Sequence, residues 1–390
     1  MTDAVLLSAC RTAIGIARKG TLRDTSAFDL ATVVVREAAQ RSGVPPELID
    51  DVVLGESVAG GGDIARYAAI EAGLTHVPGL AHNRHCASGL ASIATAAGSV
   101  LAGMDRAVIA GGTQSFSTAP VSRRRIPGTD DWQDPWSSPS HVSTPEAPSN
   151  DMAMLVGWNT ARLAGVSREE MDAWALGSHE RAIAAIDAGR FLDEIVPVKV
   201  TDRDGGVSVF DVDEHPRRGS SMAKLAALKP LHPEIEGFSI TAGNSSGLND
   251  GAAAVVVASS ELAAEHGLAP LATVRSWASV GVDPVRTGLA PIEAIRKALD
   301  RAGIGIGDVD LFEINEAFAA VTVAAVRGLG LDPERVNPFG SGCSLGHPIA
   351  TTGTRMVVTL AHELRRRGGG TAVAAMCAGG GMGSALVLTV

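Results

Sequence analysis

Four residues of this 390-residue sequence stand in runs that could do chemistry: Cys86, Asn315, His347 and Cys377. Cys86 lies in HCASGLASIATAAGS, after an extended stretch and just before small residues that read as a helix, Ala87–Ala102. A thiol there faces the positive end of the helix dipole and unpaired N–H groups, which favour the thiolate. Its own N–H can also help to form an oxyanion site. His347 lies in SLGHPIATTG, again where a loop turns into a helix. Pro348 suits the first helical turn, and Gly346 lets backbone come close. Cys377 lies in AMCAGGGMG, where a buried strand runs into glycines whose bare N–H groups, Gly379 among them, are material for an oxyanion hole. Asn315 ends the strand LFEI, at the carboxyl end where α/β sheets hold ligands. Each also has a plainer reading: a Cys in apolar surroundings is commonly a small core residue, and a run of glycines a tight turn.

Whether the four act together depends on the elements that carry them, and the chain repeats itself. A helix at Asp29–Ser42 stops at Gly43 and is followed by the strand Asp51–Gly55; a helix at Pro291–Ala302 stops at Gly303 and is followed by the strand Asp310–Ile314. At a constant offset of 260 positions, Arg36/Arg296, Ala38/Ala298, Arg41/Arg301, Gly43/Gly303, Asp50/Asp310 and Glu56/Glu316 are identical. The match continues. Cys86 opens a helix followed by the strand Ala107–Ala110 and Gly111-Gly112; His347 opens the helix Ile349–Arg366, followed by the strand Thr371–Met376 and Gly379-Gly380-Gly381. Apolar strands, Ala252–Ala258 and Ser384–Val390, close the two halves. This is a duplicated β/α unit. In a two-fold arrangement Cys86 and His347 occupy matching junctions, and Gly111 and Gly379 matching turns. Two thiols, an imidazole and an amide then converge, which is what acyl transfer through a thioester with proton transfer needs.

Residues 119–248 match neither half. Ser122–Asn150 is rich in Pro, Ser and Asp, and Trp132 and Trp136 among the prolines favour a packed loop. Ser167 with Glu170 makes a capping box for a helix over Ser167–Ala188. The expected division is a core half at 1–118 completed by 249–268, an inserted loop domain at 119–248, and a second core half at 269–390.

Composition narrows the function classes. Lys and Arg number 33 against 43 Asp and Glu, and the net charge of -10 argues against a nucleic-acid partner. No apolar run approaches the roughly 18 residues of a membrane span, and MTDAVLLSACRTAIG lacks the basic start and apolar core of a signal peptide. Four scattered cysteines without a C-x-x-C pair fit a reducing, cytoplasmic setting rather than a disulfide scaffold. His82 and His85 flank Cys86, but nothing completes a tetrahedral metal site.

At these residues the sequence resembles the thiolase family of acetyl-CoA C-acyltransferases. Four signatures carry the resemblance: N-x-x-C-x-S-G-L at Asn83–Leu90, N-E-A-F-A at Asn315–Ala319, G-H-P at Gly346–Pro348 and C-x-G-G-G at Cys377–Gly381. The stretch TAGNSSGLNDGAAA at Thr241–Ala254 joins them. The second cysteine separates thiolases from ketoacyl synthases of similar fold.

The resemblance implies a five-layer α-β-α-β-α core with an inserted loop domain, and a reversible reaction of a 3-oxoacyl-CoA with CoA. It casts Cys86 as the nucleophile that carries the acyl group. His347 raises its thiolate character and, with a water on Asn315, polarises a thioester oxygen. Cys377 shuttles the proton at the α-carbon, and the N–H groups of Cys86 and Gly379 hold the oxyanion. Arg217 in DEHPR stands as a candidate for the nucleotide end of CoA, or equally as a solvated loop charge. Ala242, Ser246 and Phe318 should border the pantetheine. Coenzyme A enters as substrate, no permanent cofactor or metal is implied, and a homodimer or homotetramer is expected. Three regions depart from the common pattern. SNDMAMLVGWNTARLAG replaces a segment with Met-Gly and Thr-Ala-Glu, Thr113-Gln114 replace Met-Glu, and Cys343-Ser344 and Ala350-Thr351-Thr352-Gly353 flank the G-H-P in place of Ala-Ile-Ala and Gly-Ala-Ser-Gly. These changes bear on substrate choice and leave the four reactive residues in place.

Overall fold

The structure, a computed structural model, describes residues 2–390. The first half runs β1 (Ala4–Thr12), α1 (Ala27–Ser42), β2 (Asp51–Gly55), α2 (Ile64–Glu71), β3 (Gly79–His82), α3 (Ser88–Leu101) and β4 (Ala107–Gln114). An insertion containing α4 (Arg168–Asp187) follows, and β5 (Asn249–Ser259) returns to the first half. The second half runs β6 (Ala272–Gly281), α5 (Ala290–Ala302), β7 (Leu311–Ile314), α6 (Ala319–Leu329), α7 (Ile349–Arg367), β8 (Thr371–Ala378) and β9 (Met382–Thr389). Gly43 and Gly303 both end their helices in the left-handed conformation, at φ 69° and 70°, where a side chain is strained. Ser167 and Glu170 form the expected capping box of α4.

The strands are ordered β7-β8-β9-β6-β1-β5-β4-β2-β3. Outward from the centre the halves mirror each other: β1-β5-β4-β2 and β6-β9-β8-β7. β2 is parallel to β4 as β7 is to β8, and β5 and β9 are antiparallel to both neighbours. Within the sheet, among the described residues, the halves pair at Val5–Thr273 and Leu6–Ala272.

Side-chain alternation then dictates the layers, because successive residues of a strand face opposite sides. Ala254 and Val256 of β5 pack with Leu30 and Val34 of α1. Val255 and Val257 face the opposite way and share a core with Leu90 and Ile93 of α3, Val357 and Leu360 of α7, and Leu386 of β9. Val387 of β9 faces Ile295 and Leu299 of α5. Helices thus cover both outer faces while α3 and α7 fill the middle, giving five layers. α3 and α7 touch backbone to backbone: a Cβ on Gly89 would lie 2.7 Å from the Thr354 nitrogen, and one on Gly353 2.5 Å from the Leu90 nitrogen.

One expectation needs correction and a second is narrowed. Gly111 and Gly112 do not form a turn; they lie inside β4, paired with Ala254 and Ala253. A side chain on Gly111 would collide with the Ala253 carbonyl, and one on Gly112 with that of Ala350, so closeness of approach explains these glycines. The packing expected of the loop with Trp132 and Trp136 is local only. Their rings lie under the Arg123 and Arg124 guanidinium groups, 4.7 and 5.2 Å away, and Trp132 is exposed.

Candidate active site

Cys86 sits on a turn whose shape is set by its neighbours. His85 adopts a left-handed φ of 48°, and its N–H donates to Asn83 Oδ1 at 2.7 Å. The Ser88 hydroxyl accepts from the Arg84 N–H (2.8 Å) and donates to the His85 carbonyl (2.7 Å). Gly55 makes room, since a Cβ there would fall 2.5 Å from Ser88 Cβ. Cys86 is half-buried, two residues ahead of α3.

The backbone N–H groups of Gly379 and of Cys86 itself interact with this thiol and lower its pKa, but burial outweighs them and pushes it up to about 11. Burial therefore opposes the thiolate that a helix start favours. Cys377, buried at the end of β8, is close enough to Cys86 that the charge on Cys86 adds to burial in raising its pKa. After it, Gly379-Gly380-Gly381 turn into β9, Gly380 and Gly381 with φ of 80° and 77°.

His347 likewise lies two residues ahead of its helix, α7. Asn249 fixes its backbone, accepting the His347 N–H at 3.0 Å and donating to the Gly15 carbonyl at 3.0 Å. The ring Nδ1 is 2.7 Å from the Thr352 hydroxyl, which donates to the Pro348 carbonyl at 3.0 Å. Asn315 Nδ2 lies 3.4 and 3.5 Å from Nδ1 and Nε2. Burial first, and then the Arg355 cation, lower the His347 pKa to about 3, so the ring is neutral at physiological pH. Asn315 Oδ1 is buried without a partner among the described residues, which leaves an acceptor for the water that the family resemblance implies at this residue.

The next residue, Glu316, anchors the loop. Its carboxylate accepts from Trp174 Nε1 (2.8 Å), Ser178 Oγ (2.6 Å), Asn337 Nδ2 (2.9 Å) and the Cys343 N–H (3.2 Å), tying α4 of the insertion to the second half. Arg11, fully buried on β1, pairs with Asp213 and Glu194 and so holds the segment bearing His215 and Arg217.

That segment borders a cleft of about 230 Å³ lined by His179, His215, Arg217, Lys224, Ala242 and Cys343. Arg218 pairs with Asp187, whereas no partner is found for the exposed Arg217 guanidinium among the described residues. His215 Nδ1 donates to the Ser344 carbonyl at 2.7 Å. Ser246 and Phe318 lie beside the cleft rather than in it: the Ser246 N–H donates to the Ala317 carbonyl at 2.9 Å, and Ser245 bridges to Phe318. Phe318 leans on Gly157, where a Cβ would come within 2.9 Å of its ring.

The structure thus groups Cys86 with Cys377 and Gly379, His347 with Asn315, and Arg217 with Ala242. The sequence reading left Asn249, Glu316 and Thr352 out of the site. Asn249 and Glu316 were visible within its own motifs, but Thr352 was noted only as a departure.

A model of the thiolase N-terminal domain matches residues 4–261 and one of the thiolase C-terminal domain residues 268–390. The chain belongs to the thiolase family. An acetyl-CoA acetyltransferase of Cupriavidus necator is 41% identical, the match covering 100% of this chain and 99% of the relative. A 3-ketoacyl-CoA thiolase of Bacillus subtilis is 40% identical, covering 99% and 98%. Among solved structures, the acetyl-CoA acetyltransferase of Bacillus anthracis superimposes with a TM-score of 0.90 at 38% identity, over 100% of this chain and 99% of that one. Human mitochondrial 3-ketoacyl-CoA thiolase gives 0.90 at 35%, over 99% and 98%. As a thiolase the protein is an acyltransferase for which coenzyme A is a substrate, not a resident cofactor. Among the described residues no helix is long and apolar enough to cross a membrane.

Proposed function

We propose that this thiolase cleaves a 3-oxoacyl-CoA, longer than the four-carbon one, to acetyl-CoA and a shortened acyl-CoA. The observation that carries this reading is the pair of backbone N–H groups, of Cys86 and Gly379, acting on the Cys86 sulfur beside a second thiol. His347 takes the Cys86 proton as sulfur attacks the 3-oxo carbon, and the two N–H groups hold the resulting oxyanion. Carbon–carbon cleavage leaves the acyl group on Cys86 while Cys377 gives its proton to the departing acetyl-CoA carbon, whose thioester oxygen faces His347 and Asn315. The thiol of CoA then attacks the acyl-enzyme and Cys377 recovers a proton from it; the Cys86–acyl bond breaks, His347 returns its proton to the Cys86 sulfur, and the shortened acyl-CoA leaves. Arg217, which lines the cleft together with Ala242, serves the nucleotide end of CoA, and Ser246 and Phe318 border the pantetheine. The altered segment before α4 and the residues flanking G-H-P support an acyl group other than acetoacetyl.

The same machinery run backwards condenses two acetyl-CoA, and the name acetyl-CoA acetyltransferase among the relatives supports that second reading. A cytoplasmic homo-oligomer completes the proposal; β3, the free edge of the first half's sheet, carries an exposed Leu80. The test is CoA-dependent acetyl-CoA release from a panel running from acetoacetyl-CoA to long and ring-bearing 3-oxoacyl-CoAs, with Cys86→Ala in parallel. Release from longer substrates that vanishes in the variant is expected. Activity confined to acetoacetyl-CoA favours the condensing role. Absence of cleavage despite CoA binding overturns both and leaves an acyl-CoA-binding partner protein.

A further inference from the structure

We propose that Thr352 is a positioning residue for this reaction: its hydroxyl accepts the Nδ1 proton of His347 and so leaves Nε2 bare to receive the proton of Cys86. This rests on the acyl-Cys86 reading above. A threonine hydroxyl has one proton, and that of Thr352 points to the Pro348 carbonyl 3.0 Å away, four residues back along the chain. Toward His347 Nδ1, at 2.7 Å, the oxygen can then only accept. Nδ1 therefore carries the hydrogen, and a neutral imidazole has only one. Asn315 cannot make this choice, because its amide nitrogen is almost equally far from both ring nitrogens, 3.4 and 3.5 Å. Without the Thr352 acceptor, a hydrogen on Nδ1 would be buried with no partner, which favours the opposite tautomer. Nε2 would then bear a hydrogen and could not take one from sulfur. The neighbouring Thr351 serves as a control: its hydroxyl is equally buried but donates to the Gly251 carbonyl at 2.7 Å, away from the ring.

The test compares Thr352→Val, which keeps the shape, with Thr352→Ser, which keeps the hydroxyl, and with Thr351→Val. For Thr352→Val, kcat should fall on the order of 100-fold, the lower end of what a positioned base contributes, with KM nearly unchanged. Cys86 alkylation by iodoacetamide should slow in step, while Thr352→Ser recovers most of the rate and Thr351→Val retains it. Full turnover by Thr352→Val beside an inactive Cys86→Ala overturns the proposal alone. Turnover by Cys86→Ala overturns the acyl-Cys86 reading and takes the proposal with it. Loss of kcat in Thr352→Val with unchanged alkylation, or equal loss in the Ser variant, also overturns it. Should Thr352→Val fail to fold, the ring ¹⁵N shifts of His347 in the unmodified protein decide: a protonated Nε2 refutes the assignment.

Discussion

The two halves share a frame and differ in what stands at the same places on it. Cys86 and His347 each lie two residues ahead of a middle-layer helix, and those helices meet where Gly89 and Gly353 let their backbones touch. Burial pushes both residues toward neutrality, the thiol up to about 11 and the imidazole down to about 3, because the same desolvation disfavours an acid's anion and a base's cation. β4 and β8 are both eight-residue strands, yet the insertion follows β4 before the chain returns in β5, while β8 leads into three glycines and straight back through β9. Where β8 has Cys377, β4 has Thr113, whose hydroxyl donates to the Ala27 carbonyl at 2.8 Å. Duplication supplies the symmetric frame, and chemistry comes from occupying its equivalent positions unequally.

The sharpest way to break this comparison is to exchange chemistry for structure at those strand ends. Cys377→Ala should lower kcat by roughly 10²- to 10⁴-fold, the span of a general acid–base group, and leave acylation of Cys86 detectable by mass spectrometry. Thr113→Val should leave kcat unaltered and lower unfolding stability by about 1 kcal/mol, the worth of one hydrogen bond. A large kcat loss in Thr113→Val would mean that the first half takes part in the chemistry at this strand end as well.

Next in size is the crossing of α3 and α7. Gly353→Val places side-chain atoms against the Leu90 backbone, which cannot move without shifting Cys86. Overpacking of this kind should cost about 3 kcal/mol, read as a lower denaturant midpoint, with turnover falling alongside. Gly98→Ala, on α3 but facing only the Trp277 ring at 3.7 Å, should be close to neutral. Equal effects at the two positions would remove the crossing as the reason the reactive junctions stay together.

Much of this was legible beforehand. The helices ending at Gly43 and Gly303 and the capping box at Ser167 follow from local chemistry, where one residue type suits one backbone geometry. The matching places of Cys86 and His347 were legible because the repeat puts each two residues ahead of its helix. Gly111 was misread because a glycine needed for close approach inside β4 looks, one-dimensionally, like a glycine needed for a turn. The raised thiol of Cys86 was hidden for a similar reason: a helix start announces itself in sequence, while the desolvation that outweighs it comes from residues far along the chain. Thr352 was seen only as a departure, because its hydroxyl matters through a ring five residues back on the next turn.

Each half also holds a histidine that is neutral at physiological pH, and pH sharpens that likeness. His82 is pushed down to about 4, chiefly by burial and then by Arg84, as His347 is to about 3. Below pH 6.5 the unfolded chain binds these protons and the native one does not. Stability is therefore full above about pH 6.5 and falls as pH drops toward 4, each histidine adding up to ~1.4 kcal/mol per pH unit to the slope. Urea unfolding at pH 7, 6 and 5 checks this. His347→Asn should flatten the dependence by one histidine's share, and an unchanged slope would mean that its ring is protonated in the native state.

The smallest expected effect lies in the insertion, where two adjacent arginines differ as the halves do, one held for structure and one left free. Both border the cleft, but Arg218 pairs with Asp187, while the Arg217 guanidinium has no partner among the described residues. If Arg217 meets the phosphates of CoA, Arg217→Ala should raise KM for CoA roughly 3- to 5-fold, as an exposed charge contact allows. The rise should shrink at high salt and leave kcat in place. Arg218→Ala should change KM less. Equal, salt-insensitive changes would make both arginines solvated loop charges and move the nucleotide end of CoA to another wall of the cleft.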